Sequence, residues 1–280
     1  MTAPTDTEAG KWDATTWAGR DTILRVVKEQ AAGFYELAEV PENWESPTAS
    51  GHWQVRDLVG HLVDTTEGYL ERFKVTREGG TPDAISGLNQ MSLKADERSS
   101  VHRDLPREEL LARAHAAFDT AMKMFEDLTE DEWGNLIVTH GYMGPLPAWF
   151  YPVGQLMDYG VHSWDIREGL SMEHFLSADV ADLLVPFMFV VWQATCDPSK
   201  RGDDDLQVGI KVSGRNAGNF RVTCNADGLA YEPGDIDDLP VRLEFDSASL
   251  VLTAFGRVRA GTAYGDLDMA HRFGGLFFRM

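Results

Sequence analysis

The chain has only two cysteines in 280 residues, Cys196 and Cys224, far apart and in no ligand-like spacing. That argues against a disulfide framework and against a cysteine metal site, and reads as two buried small hydrophobes. Basic residues are also scarce: 25 lysines and arginines face 45 acids, for a net charge of −20. A field of that sign repels phosphate backbones and anionic membranes, so neither a nucleic acid nor a membrane is expected as partner. A small anionic substrate remains compatible where local arginines neutralise it. No apolar run approaches the roughly 20 residues of a membrane span. The start, Met1-Thr-Ala-Pro-Thr-Asp-Thr-Glu8, lacks the basic end and apolar core of a signal peptide, so the cytoplasm is the expected location. Repeats and low-complexity tracts are missing too.

What is present divides the chain in two. Residues 1–11 read as a frayed tail. Residues 13–38 carry Ile23, Val26, Val27, Phe34 and Leu37 at helical spacing. A second helix from Gln54 to about Arg77 has the stripe Val55, Leu58, Val59, Leu62, Val63, Leu70 and Phe73. Residues 79–106 are polar, broken by glycine and proline, and read as one long loop. A third helix is expected over 107–127. The stretch Gly141–Pro147 reads as a loop entering a fourth helix near 148–168, with Gly169 as its C-cap. Four helices so connected predict a four-helix bundle. After residue 170 comes a very apolar helix, 177–194. Alternation at Val208, Ile210 and Val212, at Phe220, Val222 and Cys224, and at Val241, Leu243 and Phe245 marks strands, with turns at Asn225–Gly228 and Pro233–Asp235. The tail from Ser247 to Met280 reads as helical. The expected class is α+β, mainly α, with a helical domain over 12–170 and a small α+β domain over 172–280.

The fourth helix carries the chemistry. Between Gly141 and Ile166 its only charged residues are Asp158 and Asp165. A helix so poor in charge is buried nearly all round, and buried carboxylates are costly unless paired or bound to a cation. Asp158, His162 and Asp165 stand at i, i+4 and i+7, on one face. Such a stripe without lysine needs a positive partner, either an arginine from elsewhere or a divalent ion. His61, on the second helix, reads alone as a surface histidine. Together with the Asp–His pair it completes a three-ligand set of the kind that facing helices build in bundles. Two imidazoles and one carboxylate suit zinc, nickel or ferrous iron, and three protein ligands leave a position open for catalysis. The other histidines show no mutual ligand spacing, although His52 and His140 lie close enough in sequence to line the mouth of such a site.

These residues also carry a resemblance. Gly51-His-Trp-Gln-Val-Arg-Asp-Leu-Val-Gly-His61 resembles the helix start Trp-x-Val-Arg-Asp-Leu-x-x-His of the mycothiol-dependent maleylpyruvate isomerase-like family. Asp158-Tyr-Gly-Val-His162-Ser-Trp-Asp165 resembles its second signature, an acid, three residues, histidine, two residues, aspartate. The likeness spans about residues 15–170, on a DinB-like four-helix fold. The segment 172–280 is similar, more weakly, to the sterol-carrier-like domain that accompanies it. The resemblance implies a metal, commonly zinc, at His61, Asp158 and His162, and mycothiol or another low-molecular-weight thiol as cofactor. Many members carry glutamate where this chain has Asp158. The resemblance also implies a C-terminal-domain arginine that contributes to activity, for which Arg257 in Phe255-Gly-Arg257-Val-Arg259 is the best match. Asp165 would orient His162 as a positioning group. The residues that hold the thiol are not identifiable from the sequence.

Three activities fit these expectations. A thiolate held by the metal adds reversibly to a cis double bond, giving a cis–trans isomerase. The same thiolate displaces a leaving group and stays on the product, giving a thiol S-transferase. Or the metal only stabilises a non-catalytic binding module. The expected partners are a small thiol and a small substrate, anionic in the isomerase reading, acting on a monomer or homodimer.

Overall fold

The computed structural model describes Gly10, residues 12–87 and residues 90–278. Most of the expected N-terminal tail lies outside the described residues. The chain forms two compact units, Asp13–Leu176 and Ser177–Met280, the second including the residues up to Trp12.

The first unit is helical. After a short 3-10 turn at Trp17–Gly19 come α1 (Arg20–Ala38), α2 (Val55–Arg77), α3 (Met91–Ser100), α4 (Arg107–Glu126), α5 (Glu130–Asn135) and α6 (Phe150–Gly169). Helix α1 packs on α6, and α2 on α4 and α6, so α1, α2, α4 and α6 make the bundle. Helix α1 begins later than the sequence suggests, because Thr16 caps the 3-10 turn that precedes it. Helix α2 starts at a reciprocal capping box in which the Gln54 side chain accepts from the amide of Asp57, and Asp57 accepts from the amide of Gln54. Its buried stripe runs through Leu58, Leu62, Thr66, Tyr69 and Phe73, so Tyr69 rather than Leu70 continues the core face.

Two expectations fail in this unit. The stretch 79–106 is not one loop, because α3 lies inside it. Helix α3 has no apolar stripe to announce it and is held by polar contacts: Asp96 accepts from Trp53 Nε1 at 2.8 Å, and Arg98 pairs with Asp64 at 3.4 Å. The stretch before α6 is not a plain loop either. β1 (Ile137–His140) and β2 (Gly144–Pro147) form a small antiparallel hairpin. Gly169 ends inside α6 and not beyond it, and its glycine has a packing cause. A Cβ there would stand 2.1 Å from the Pro47 carbonyl oxygen.

The second unit sets α7 (Ala178–Thr195) beside a five-stranded sheet of order β5-β4-β3-β6-β7. Its strands are β3 (Leu206–Ser213), β4 (Gly218–Asn225), β5 (Gly228–Pro233), β6 (Val241–Asp246) and β7 (Thr262–Gly265). β3 runs parallel to β6; the other neighbours are antiparallel. Helices α8 (Ser247–Ala254) and α9 (Leu267–Gly274) complete it. The tail is therefore not wholly helical: β7 interrupts it, and Pro233 ends β5. Phe189 of α7 stacks on Tyr231 at 4.8 Å and lies against Phe220 at 4.4 Å, which anchors the helix to the sheet. Helix α7 is the one described helix long and apolar enough to cross a membrane, and 67% of it is buried within the fold. The two cysteines, distant in sequence, are free but meet here with sulfurs 3.7 Å apart. Burial, with Cys224 alongside, pushes the Cys196 thiol up to about 12, so it stays protonated and unreactive at neutral pH.

Candidate metal centre

Helices α2 and α6 each present one side of the site. Helix α6 buries fifteen of its residues, including Gln155, His162, Ser163 and Asp165. His162 is therefore fixed by packing, and its Nδ1 lies 2.8 Å from Asp165 Oδ2, with Asp165 fully buried. An ionised Asp165 accepts the Nδ1 hydrogen, which leaves the Nε2 lone pair as the free end of the ring. Burial holds the His162 pKa below its usual value, although Asp165 pulls the other way. At neutral pH this imidazole is neutral, the form a metal requires.

His61 reaches the same point from α2. Its Nε2 lies 3.4 Å from Asp158 Oδ1, and its ring stands perpendicular to that of His162 with centroids 5.2 Å apart. One ligand atom from each of His61, Asp158 and His162 lies within 4.8 Å of the others. The His61–Asp158 separation is long for a hydrogen bond. It matches instead the edge of a tetrahedron: ligands bonded at about 2.0–2.1 Å to one zinc ion stand roughly 3.4 Å apart. The donor set, two imidazoles and a carboxylate, and this one edge thus suit a divalent cation. Trp53 walls the group, its ring 5.1 Å from His61 and its Nε1 held by Asp96.

Beside the triad opens a cavity of about 100 Å³ whose lining includes His61, Asp158, Tyr69, Arg72, His140 and Tyr142. His140 thus faces this space, whereas His52, with its side chain 69% exposed, turns to Asp96 at 2.8 Å and is not part of the lining. Arg257 belongs to the other unit, just past α8, where its guanidinium donates to the Phe255 carbonyl at 3.0 Å. Tyr69, Arg72 and Tyr142 escaped the sequence reading. For the first two a signal existed: His61, Thr65, Tyr69 and Arg72 recur at helical spacing on one face of α2. The place of Tyr142 depends on the hairpin, which the sequence did not announce.

Comparison with known proteins bears on this geometry. The crystal structure of the mycothiol-dependent maleylpyruvate isomerase superposes with a TM-score of 0.60 at 12% identity, covering 88% of this chain and 94% of that one. A histidine-to-alanine mutant of that enzyme matches with the same values. At that identity the likeness shows the fold, α+β and mainly α. No curated protein matches by sequence. Residues 24–167, slightly more than half of the chain and including both sides of the triad, match the mycothiol maleylpyruvate isomerase N-terminal domain, and the chain belongs to that family.

Proposed function

We propose that the chain is a metal- and small-thiol-dependent enzyme of the maleylpyruvate isomerase type. It would hold one zinc ion at His61, Asp158 and His162, use mycothiol as its thiol, and convert a small cis-unsaturated diacid to the trans isomer in the cytoplasm. The observation that supports this most is the triad itself: three ligand atoms within 4.8 Å of one another, opening on a cavity. When bound, a divalent cation keeps a thiol ionised at neutral pH and so supplies a nucleophile able to add reversibly to a double bond.

The chain's own residues set the conditions for that chemistry. His61 and Asp158 hold their places from two facing helices, and Asp165 fixes the orientation of the His162 ring. Trp53 shields one side of the triad from water. Burial and the nearby Asp158 raise the Tyr69 pKa well above its usual value, so Tyr69, one of the residues lining the cavity, keeps a neutral hydroxyl. Arg257 is proposed as a contributor to turnover and not to metal binding.

Elemental analysis of native protein should find about one divalent ion per chain, and maleylpyruvate should isomerise only with mycothiol present, the thiol being returned. Arg257→Ala should lower turnover and leave metal content unchanged. Consumption of the thiol would make the enzyme an S-transferase. Absence of both metal and thiol-dependent turnover would leave only a binding module.

A further inference from the structure

The chain carries 45 acids against 25 basic residues, yet Arg72 makes no hydrogen bond or ion pair with any described residue. Other cations around it are matched: Arg98 pairs with Asp64 at 3.4 Å, and Arg77 with Glu132 at 3.5 Å. Arg72 is half-buried and lines the same cavity as His61 and Asp158. The hairpin makes room for it. A Cβ on Gly141 would stand 2.3 Å from Arg72 Nη2, so the guanidinium lies against the bare turn.

His140 supplies a second donor. The backbone amides of Tyr142 and Met143 both donate to its Nδ1, at 3.3 and 3.2 Å. That nitrogen is then the acceptor, and the ring hydrogen sits on Nε2. No described residue accepts from Nε2. The ring is boxed by Tyr69, Phe150 and Tyr151 at centroid distances of 5.9 to 6.2 Å, which favours the neutral form. Burial and the Arg72 charge depress its pKa to about 4. An uncharged N–H donor and an unmatched guanidinium thus line one cavity, and their natural complement is a carboxylate.

We infer that Arg72, with the Nε2 hydrogen of His140, forms a carboxylate-binding subsite that anchors the far end of the substrate within the helical unit. His61 and Arg72 stand eleven positions apart on α2, a rise of about 16 Å between backbones. The His61 and Arg72 side chains face the same small cavity, so a short diacid can meet Arg72 with one end while its double bond lies toward the triad. The inference rests on reading the cavity as the substrate site. The carboxylate could belong to the substrate or to an acidic thiol, and the test separates the two.

The test is calorimetric titration of the purified metal-bearing protein with maleate, and separately with N-acetylcysteine, without turnover. Arg72→Gln should weaken maleate binding at least tenfold, and Arg72→Lys should weaken it less. Arg77→Gln removes the same charge one and a half turns along α2 and should change nothing. Metal content should be unchanged in all three. Equal maleate affinity in Arg72→Gln and the parent protein, or no maleate binding by the parent, would overturn the subsite. A tenfold loss seen for N-acetylcysteine but not for maleate would overturn its assignment to the substrate. Each readout is independent of thiol-dependent isomerisation, so failure of the isomerase reading and failure of the subsite give different results.

Discussion

Helices α6 and α7 are the two most apolar long helices of the molecule, and each sets an acid among apolar neighbours, but to different ends. In α7 the buried acid is Asp182. Its Oδ1 accepts from Ser247 Oγ at 2.6 Å and from the Arg215 amide at 3.2 Å, with the Arg215 guanidinium 3.9 Å away. Asn216 donates to its backbone oxygen at 2.6 Å and to that of Trp12 at 2.9 Å, and Arg215 lies over the Trp12 ring. Every neighbour is a fixed protein donor, and the result is a closed structural knot. In α6 the half-buried Asp158 meets, among the described residues, only an imidazole at the long distance of 3.4 Å, and it lines a cavity. An acid on an apolar helix therefore does not by itself mark a site. The informative difference is whether protein donors already satisfy the acid or leave it directed at other ligand-type groups.

Substitutions in the two helices should separate these roles. The largest effect is expected for His162→Ala, which should empty the site of metal and lower thiol-dependent turnover by about 1000-fold or more, roughly 4 kcal/mol. Its thermal unfolding should stay close to that of the metal-free parent. Asp182→Ala should do the reverse, leaving metal content intact while costing about 2–3 kcal/mol of stability in denaturant unfolding. If Asp182→Ala lost the metal, or His162→Ala unfolded the chain, the contrast between the helices would collapse.

A smaller effect sharpens the comparison within α6. Asp165→Asn keeps the shape but removes the charge behind His162, and metal affinity should fall about 10–100-fold, measured by competition with a chelator. An unchanged affinity would show that Asp165 is a structural acid like Asp182.

The smallest effect is expected at the surface, on α2. The Arg113 guanidinium, hydrogen-bonded at 2.6 and 2.7 Å, holds the Glu67 carboxyl below the usual carboxylate range. A depressed folded-state pKa contributes stability above the unfolded-state value, and that contribution is lost as pH falls through the folded one. Solvent screens this pair, so the contribution should be under about 1 kcal/mol. Melting temperatures of parent and Glu67→Gln should differ slightly at neutral pH and converge in acid. A gap that persists in acid would refute this origin.

The readable parts of the sequence share one property, a local periodicity with a physical cause. The α2 stripe, the alternation of β3, β4 and β6, and the charge-poor run of α6 each follow from which face must leave water. Helix α3 was unreadable because polar contacts to Trp53 and Asp64, distant in sequence, hold it. Strands β1, β2 and β7 are only four residues long each, too short for periodicity to register. Arg257 illustrates another limit, since its role came from resemblance alone and not from any pattern in its neighbourhood.

The sequence by itself determined that Asp158, His162 and Asp165 share a face, because helix pitch fixes that without reference to anything else. It also determined that most of this helix would be buried, because so few charges accompany it. Only the tertiary structure decided that His61 arrives opposite them, since that depends on how α2 packs on α6. It also decided that Gly141 lies against Arg72 and that His140 turns its Nδ1 to the hairpin amides. The first of these depends on contact between segments some seventy residues apart, and the second on a tight hairpin whose amides lie two and three residues beyond His140.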